Sequence, residues 1–195
     1  RFEDLVEGLR GVIFQDRLGS LYEKTERISG LSVYLAGIMG NVPIEKVKRA
    51  AQLCKVDLLT GVVREFPKLQ GVMGREYALI HGEEADVARA IDEHYLPRFA
   101  GDSSPSSIIG AIISVADKID TIAGCFCIGL IPSGSEDPYA LRRQGIGVVQ
   151  ILVEKLQDVS LPELIDRSIS LLNRKINREP DKVKVEVMRF LMQRM

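Results

Sequence analysis

An all-α fold is predicted by three observations. Apolar residues recur every three to four positions along nearly the whole chain, no run alternates as a half-buried strand does, and the interruptions fall on Gly, Pro and small polar residues. At 195 residues, with 46% apolar content and no Trp, the chain can bury a sizeable core as one domain, or as one domain plus a small appendage. The first long helix is expected over residues 18–39, with Leu18, Leu21, Ile28, Leu31, Leu35 and Ile38 inward and Gly40-Asn41 as its stop. A second is expected over 44–54, where Ile44, Val47, Ala50, Ala51 and Cys54 share a face and Pro43 stands at the start, where its missing N–H costs nothing.

Residues 55–77 continue the helical rhythm, but Pro67 cannot follow a helical residue without strain, so the chain should break at Phe66-Pro67 and resume as a helix to about Ile80. His81-Gly82 is a turn, and a helix over 83–95 places Val87, Ala90, Ile91 and His94 inward before Pro97. The loop FAGDSSPSS leads to the most apolar helix, 106–126, which is expected to be central and buried. After GLIPSGSED, Asp137 is placed to cap, and Pro138 to begin, a helix reaching about Leu156. Two amphipathic helices, 161–176 and 181–194, complete the chain. The expected division is therefore a helical domain over 1–156 and a basic helical linker over 157–195.

The formal net charge is −1, which argues against a generic polyanion-binding protein, yet the charge is unevenly spread. Residues 167–195 carry eight bases (Arg167, Arg174, Lys175, Arg178, Lys182, Lys184, Arg189, Arg194) against three acids (Glu179, Asp181, Glu186), a net of +5 that leaves −6 for the rest. Such a segment reads either as a solvated helix pair with a basic outer face or as a contact for RNA phosphate. No apolar run approaches the ~20 residues that span a bilayer, and RFEDLVEGLR has acids where a signal peptide carries bases, so no membrane association and a cytoplasmic location are expected. Cys54, Cys125 and Cys127 are expected to be reduced, packed thiols. The chain starts on Arg and stops on Met within a helical pattern, as an excised fragment would.

Chemistry is sought first where polar groups fall on apolar faces. Lys55 and Asp57 sit where the rhythm of 55–77 expects burial, and a buried charge is costly unless paired. On the central helix Gly110, Ser114, Asp117, Asp120, Thr121 and Gly124 form a narrow polar stripe, with Asp117 and Asp120 on one face. Two carboxylates there need cations, either a metal or Lys24, Arg27, Lys55 or Lys118. His81 and His94 are read as structural or exposed rather than as ligands. No Gly-x-Ser-x-Gly, phosphate-cradling Gly-rich loop or dinucleotide fingerprint is present, and no catalytic residue is assigned.

The helices carrying K-T-E-R-I, A-A-Q-L-C-K-V-D-L and A-D-K-I-D resemble those of the HD superfamily of metal-dependent phosphohydrolases, which implies an HD-domain-like bundle. That family holds a divalent ion with a His, a His-Asp doublet and a later Asp. Here Lys24 or a neighbour stands at the early His, the doublet becomes Cys54-Lys55 or Val56-Asp57, and only Asp117 matches. The expectation is a degenerate, metal-free site of Lys24, Lys55, Asp57, Asp117 and Asp120, with Lys24 or Lys55 paired to Asp117 in place of the metal. An active HD-type metal-dependent phosphohydrolase is the rival reading, and a purely structural spacer a third.

Several blocks in order, LGSLYEKTERI, AAQLCKVDLLTGVVREFPKLQGVMGREYA, AIDEHYLPRFAGD and ADKIDTIAGCFCIGLIPSGSEDPYALRRQGIGVVQIL, resemble the β subunit of the two-subunit bacterial glycyl-tRNA synthetase over about residues 10–155. That family's usual Thr-Gly-Ser-Lys-Asp-Pro-Phe stands here as Ser133 to Tyr139, with Glu136 in place of the lysine. The resemblance implies a tRNA(Gly)-binding and scaffolding piece of a heterotetramer, in which the α subunit uses ATP and Mg for aminoacylation. The basic tail would lead toward an anticodon-binding domain, and the fragment alone would need no cofactor and charge no tRNA. For RNA contact Arg142 and Arg143 are the leading candidates, since guanidinium groups match phosphate, with Arg64, Lys68, Arg75 and Arg98 secondary.

Overall fold

The computed structural model describes residues 2–172 and 175–194, with Glu3 described by its backbone alone. Arg174 of the basic tail, positions 173–174 of the helix expected over 161–176, and the two terminal residues lie outside the described residues. The fold is an all-α bundle built around one buried helix.

A short antiparallel hairpin, β1 (Ile13–Gln15) and β2 (Gly19–Ser20), precedes the bundle and corrects the expectation that no strand would form. Three residues are too few to show alternation. Gln15 Oε1 closes the turn by accepting from the amides of Arg17 (2.7 Å) and Leu18 (3.0 Å). The helix expected from residue 18 therefore begins as α1 (Leu21–Met39), where Ser20 and Glu23 form a reciprocal capping box. Leu18 is still buried, from the hairpin.

α2 (Ile44–Leu53) follows, then a 3₁₀ turn over Val56–Leu59 and the short α3 (Gly61–Glu65). The break falls at Phe66, and a second 3₁₀ turn, Pro67–Leu69, precedes α4 (Val72–Ile80). α5 (Ala85–Glu93) is joined to α6 (Ile108–Cys127) through Glu93, whose carboxylate accepts from the amides and hydroxyls of Ser106 and Ser107. Every residue of α6 from Ile109 on is buried, and α1, α2, α5, α7, α8 and α9 pack on it.

α7 (Leu141–Lys155) starts later than expected. Asp137 does cap it, accepting from the amides of Leu141 (2.7 Å) and Arg142 (2.9 Å). Because the carboxylate reaches these amides directly, Pro138 lies outside the helix and Ala140 takes a left-handed backbone (φ 52°). α8 (Leu161–Leu172) and α9 (Pro180–Met192) then lay Leu164, Ile165, Ile169, Val183, Val187 and Leu191 into the same core. Phe190 meets Phe126 edge-on at 5.2 Å between ring centroids. The three thiols are unpaired and buried, and burial pushes Cys54 and Cys125 up to about 12 and Cys127 to about 11. Among the described residues no helix is long and apolar enough to cross a membrane.

Candidate functional site

The polar stripe of α6 faces α1, the end of α2 and the end of α5, and there the chain gathers its buried charges. Both oxygens of Asp117 are taken by ammonium groups: Lys24 Nζ lies 2.9 Å from Oδ1, and Lys55 Nζ donates to Oδ2 at 2.6 Å. The first contact is an ion pair without hydrogen-bond geometry, since Lys24 directs its protons to Asp120 Oδ2 (3.0 Å), Thr121 Oγ1 (2.7 Å) and the Asp117 carbonyl (3.3 Å). Arg27 completes Asp120 with a fork, Nε to Oδ1 at 2.6 Å and a terminal nitrogen to Oδ2 at 3.2 Å. All five side chains are buried.

His94 is part of this cluster, which sequence reasoning missed. Its Nδ1 lies 2.6 Å from the Ile91 carbonyl and its Nε2 lies 2.9 Å from Lys55 Nζ. The carbonyl can only accept, so Nδ1 carries the proton and Nε2 accepts from the ammonium. Burial, then Lys55, push the imidazole well below its ordinary range, consistent with a neutral ring. Placing His94 on the inner face of its helix was within reach of the periodicity. Its partner, 39 residues earlier, was not.

The remaining shifts follow from the same packing. Burial works against the charged form of Asp117, but Lys24 and Lys55 hold its carboxyl well below the usual range. Burial also opposes the Lys55 charge, and Asp117 beside it more than compensates, so its pKa is raised. Lys118 differs: it meets no carboxylate directly and donates instead to Ser114 Oγ (2.6 Å) and the carbonyls of Leu96 (2.9 Å) and His94 (3.2 Å). Burial pushes it down to about 7, with Lys55, Arg143 and Lys24 adding to the effect and Asp117 opposing it. Gly147 lets α7 close over its stem, since a Cβ there would meet Lys118 Cε at 3.0 Å and Pro97 Cγ at 3.2 Å.

Asp57 does not join the cluster. Its Oδ2 accepts from the amide of Gly71 at 2.6 Å, and burial raises its pKa despite that bond. Gly71 is required at this turn: its φ is +84°, and a Cβ would stand 2.7 Å from the Tyr95 ring. Asp57 thus ties the 3₁₀ turn after α2 to the start of α4.

Above the cluster opens a cleft of about 550 Å³. Lys24, Lys55 and Lys118 form its floor, and Lys68, Arg98 and Arg143 stand at its mouth, with Asp117 the one acid among the described residues that line it. Aromatic rings cover two of the three floor ammoniums, Phe14 at 4.5 Å from Lys24 Nζ and Tyr95 at 4.4 Å from Lys55 Nζ, and Tyr139 packs beside Phe14. Of the residues expected to touch RNA, Lys68, Arg98 and Arg143 therefore come together. Arg98 is shared with Asp92 (2.9 Å), which also holds Arg75 (2.7 Å). Arg64 is exposed in the last turn of α3, away from the cleft lining. Arg142, one position from Arg143, lies near Arg194, whose guanidinium is pushed down by burial and then by Arg142.

A divalent ion does not fit these residues. Both carboxylate oxygens of Asp117 face ammonium groups that would repel it, and no group of three or more His, Cys, Asp or Glu side chains suited to a metal occurs among the described residues.

The model of the family described as glycyl-tRNA synthetase beta subunit matches residues 1–195. The chain is 50% identical over 190 residues to the glycine–tRNA ligase beta subunit of Geobacter metallireducens, covering 97% of this chain and 28% of that protein. It is 52% identical over 190 residues to the corresponding subunit of Geobacter sp. strain M21, with the same coverage. For Syntrophotalea carbinolica the figures are 49% over 191 residues, 98% of this chain and 28% of that protein. The chain thus spans about 28% of the length of these curated relatives. Matched from end to end by the family model and at about half identity by these subunits, the chain belongs to the glycyl-tRNA synthetase beta subunit family.

Proposed function

We propose that this chain is a tRNA-contacting and scaffolding domain that performs no chemistry of its own, an HD-like bundle whose metal position is held by lysines. The observation that supports this most is the double engagement of Asp117 by Lys24 and Lys55, which leaves no carboxylate oxygen for an ion that would activate water. Lys68, Arg98 and Arg143 at the mouth of the cleft supply the cations that phosphate requires. In this reading residues 1–156 are the working domain, and residues 157–195 carry the connection toward an anticodon-binding domain. The whole cytoplasmic enzyme, a heterotetramer with the α subunit, joins glycine to tRNA(Gly), with ATP and Mg used on the α subunit.

The test is binding of tRNA(Gly) to the 195-residue chain in EDTA over a salt series. Arg143→Ala should weaken binding and reduce the salt slope by about one, and Arg142→Ala should do less because it is not among the residues that line the cleft. Binding unchanged at every salt concentration would remove both residues from the interface. Metal-dependent phosphodiesterase activity of the chain would overturn the reading in favour of a hydrolase.

A further inference from the structure

The charges beneath the cleft do not cancel. Lys24, Arg27, Lys55 and Lys118 set four cationic groups against three buried carboxylates, Asp117 and Asp120 in direct contact and Asp57 acting on Lys55 without touching it, and His94 offers no negative charge. A surplus of buried positive charge is costly, and it is relieved either by a cation losing its proton or by an anion entering beside it. Lys118 takes the first route in part, standing at about 7. The cleft is open to the second.

Most floor donors are already committed. Lys24 and Lys118 spend their protons on protein oxygens, so they offer an incoming anion their field rather than hydrogen bonds. At the mouth, Lys68 and Arg143 are exposed side chains lining the same space, and Arg143 is close enough to Lys118 to depress its pKa. A compact anion between Lys68 and Arg143 would be gripped by both and drawn by the floor. Phe14, Tyr95 and Tyr139 on the walls offer ring surface for a flat group attached to it. We propose that this cleft is a metal-independent binding site for a phosphomonoester bearing a nucleoside, held at the phosphate by Lys68 and Arg143 and attracted by the surplus charge of the Lys24, Lys55 and Lys118 floor.

Two sources share this chemistry, a free mononucleotide and the phosphorylated end of an RNA strand. The experiment titrates the 195-residue chain in EDTA with AMP, adenosine, inorganic phosphate, and a short oligoribonucleotide with and without a 5′-phosphate, by calorimetry. AMP should saturate, adenosine should bind at least about tenfold more weakly, and the double variant Lys68→Ala/Arg143→Ala, both surface positions, should lose at least about tenfold in AMP affinity with an unchanged melting curve. A stronger response to the 5′-phosphorylated oligonucleotide than to AMP would assign the site to an RNA end, and the reverse to a free nucleotide. From about pH 7.5 to about 9 the phosphate keeps its charge while Lys118 loses its own, so affinity should fall in the native chain and stay flat in Lys118→Met. The groups facing Lys118 are Asp117, Lys24, Lys55, His94 and Arg143; of these, Asp117 and His94 are held well below their ordinary ranges and Lys55 is raised above its own, all away from this window. No saturation by AMP up to about 10 mM, equal binding of adenosine, or full affinity in the double variant would overturn the proposal. Since tRNA is absent from this titration, its failure would leave the RNA reading standing.

Discussion

The C-terminal helix pair and the cleft floor both rest on α6, and they handle charge in opposite ways. On α9 and the segment before it, Arg178 forks onto Glu186 at 2.8 and 2.9 Å, and Lys184 of α9 meets Asp166 of α8, with the side chains of both pairs partly exposed. Water and salt screen such pairs, so each contributes about 1 kcal/mol or less. Beneath the cleft the same chemistry is buried, and each group depends on the others. The basic segment that stands out in the charge count is thus the one where charge governs least, and the acidic remainder, net −6, contains the charges on which the fold depends.

Breaking each network tests this contrast. Asp117→Asn, which strips the cluster of a carboxylate and leaves Lys24 and Lys55 facing each other, should cost about 3–5 kcal/mol in chemical denaturation. Lys55→Met should cost less than Asp117→Asn, because it also removes part of the positive surplus; the reverse order would show that the floor is not over-charged.

Of intermediate size is the pH response of Lys118. Its pKa is about 7 folded against an ordinary 10.5, so folding releases a proton between those values and stability rises with pH across the window, by at most about 1.4 kcal/mol per pH unit. The difference in stability between the native chain and Lys118→Met should therefore grow in favour of the native chain from about pH 7 to about 9. Above that, the buried thiols act in the opposite sense, because Cys54, Cys125 and Cys127 keep their protons folded to about 12, 12 and 11 and lose them sooner unfolded. A flat difference would mean that Lys118 is not confined as described. The smallest effect belongs to the surface arm of the comparison: Glu186→Gln should cost under about 1 kcal/mol and be further muted in high salt.

Much of this was legible in the chain itself. The apolar period located the helices, Gly40, Pro67 and Gly82 marked their breaks, and charges at buried positions singled out Lys55, Asp57, Asp117 and Asp120 before any contact was known, with Lys24 among the candidate counter-cations. The hairpin was illegible because strands of three and two residues are too short to show alternation, and the start of α7 because the expected cap, Asp137, reaches past Pro138 to the amides of Leu141 and Arg142. Asp57 has the same signature as Lys55, buried and charged, yet it serves a turn; spacing records burial, and only the fold decides which buried charges meet. Arg142 and Arg143 differ likewise, as neighbours on a helix point about 100° apart. His94 joined the site through Lys55, a contact between segments that no local pattern encodes.

The central claim is that ammonium groups stand where a metal ion would otherwise hold Asp117, and equilibrium dialysis of the 195-residue chain against Zn²⁺, Mn²⁺ and Mg²⁺ tests it most directly. The account predicts far less than one ion per chain, about a tenth or below, with a melting temperature unmoved by EDTA. One ion bound per chain, with a melting temperature that EDTA lowers and that Asp117→Asn no longer lets the metal raise, would contradict it.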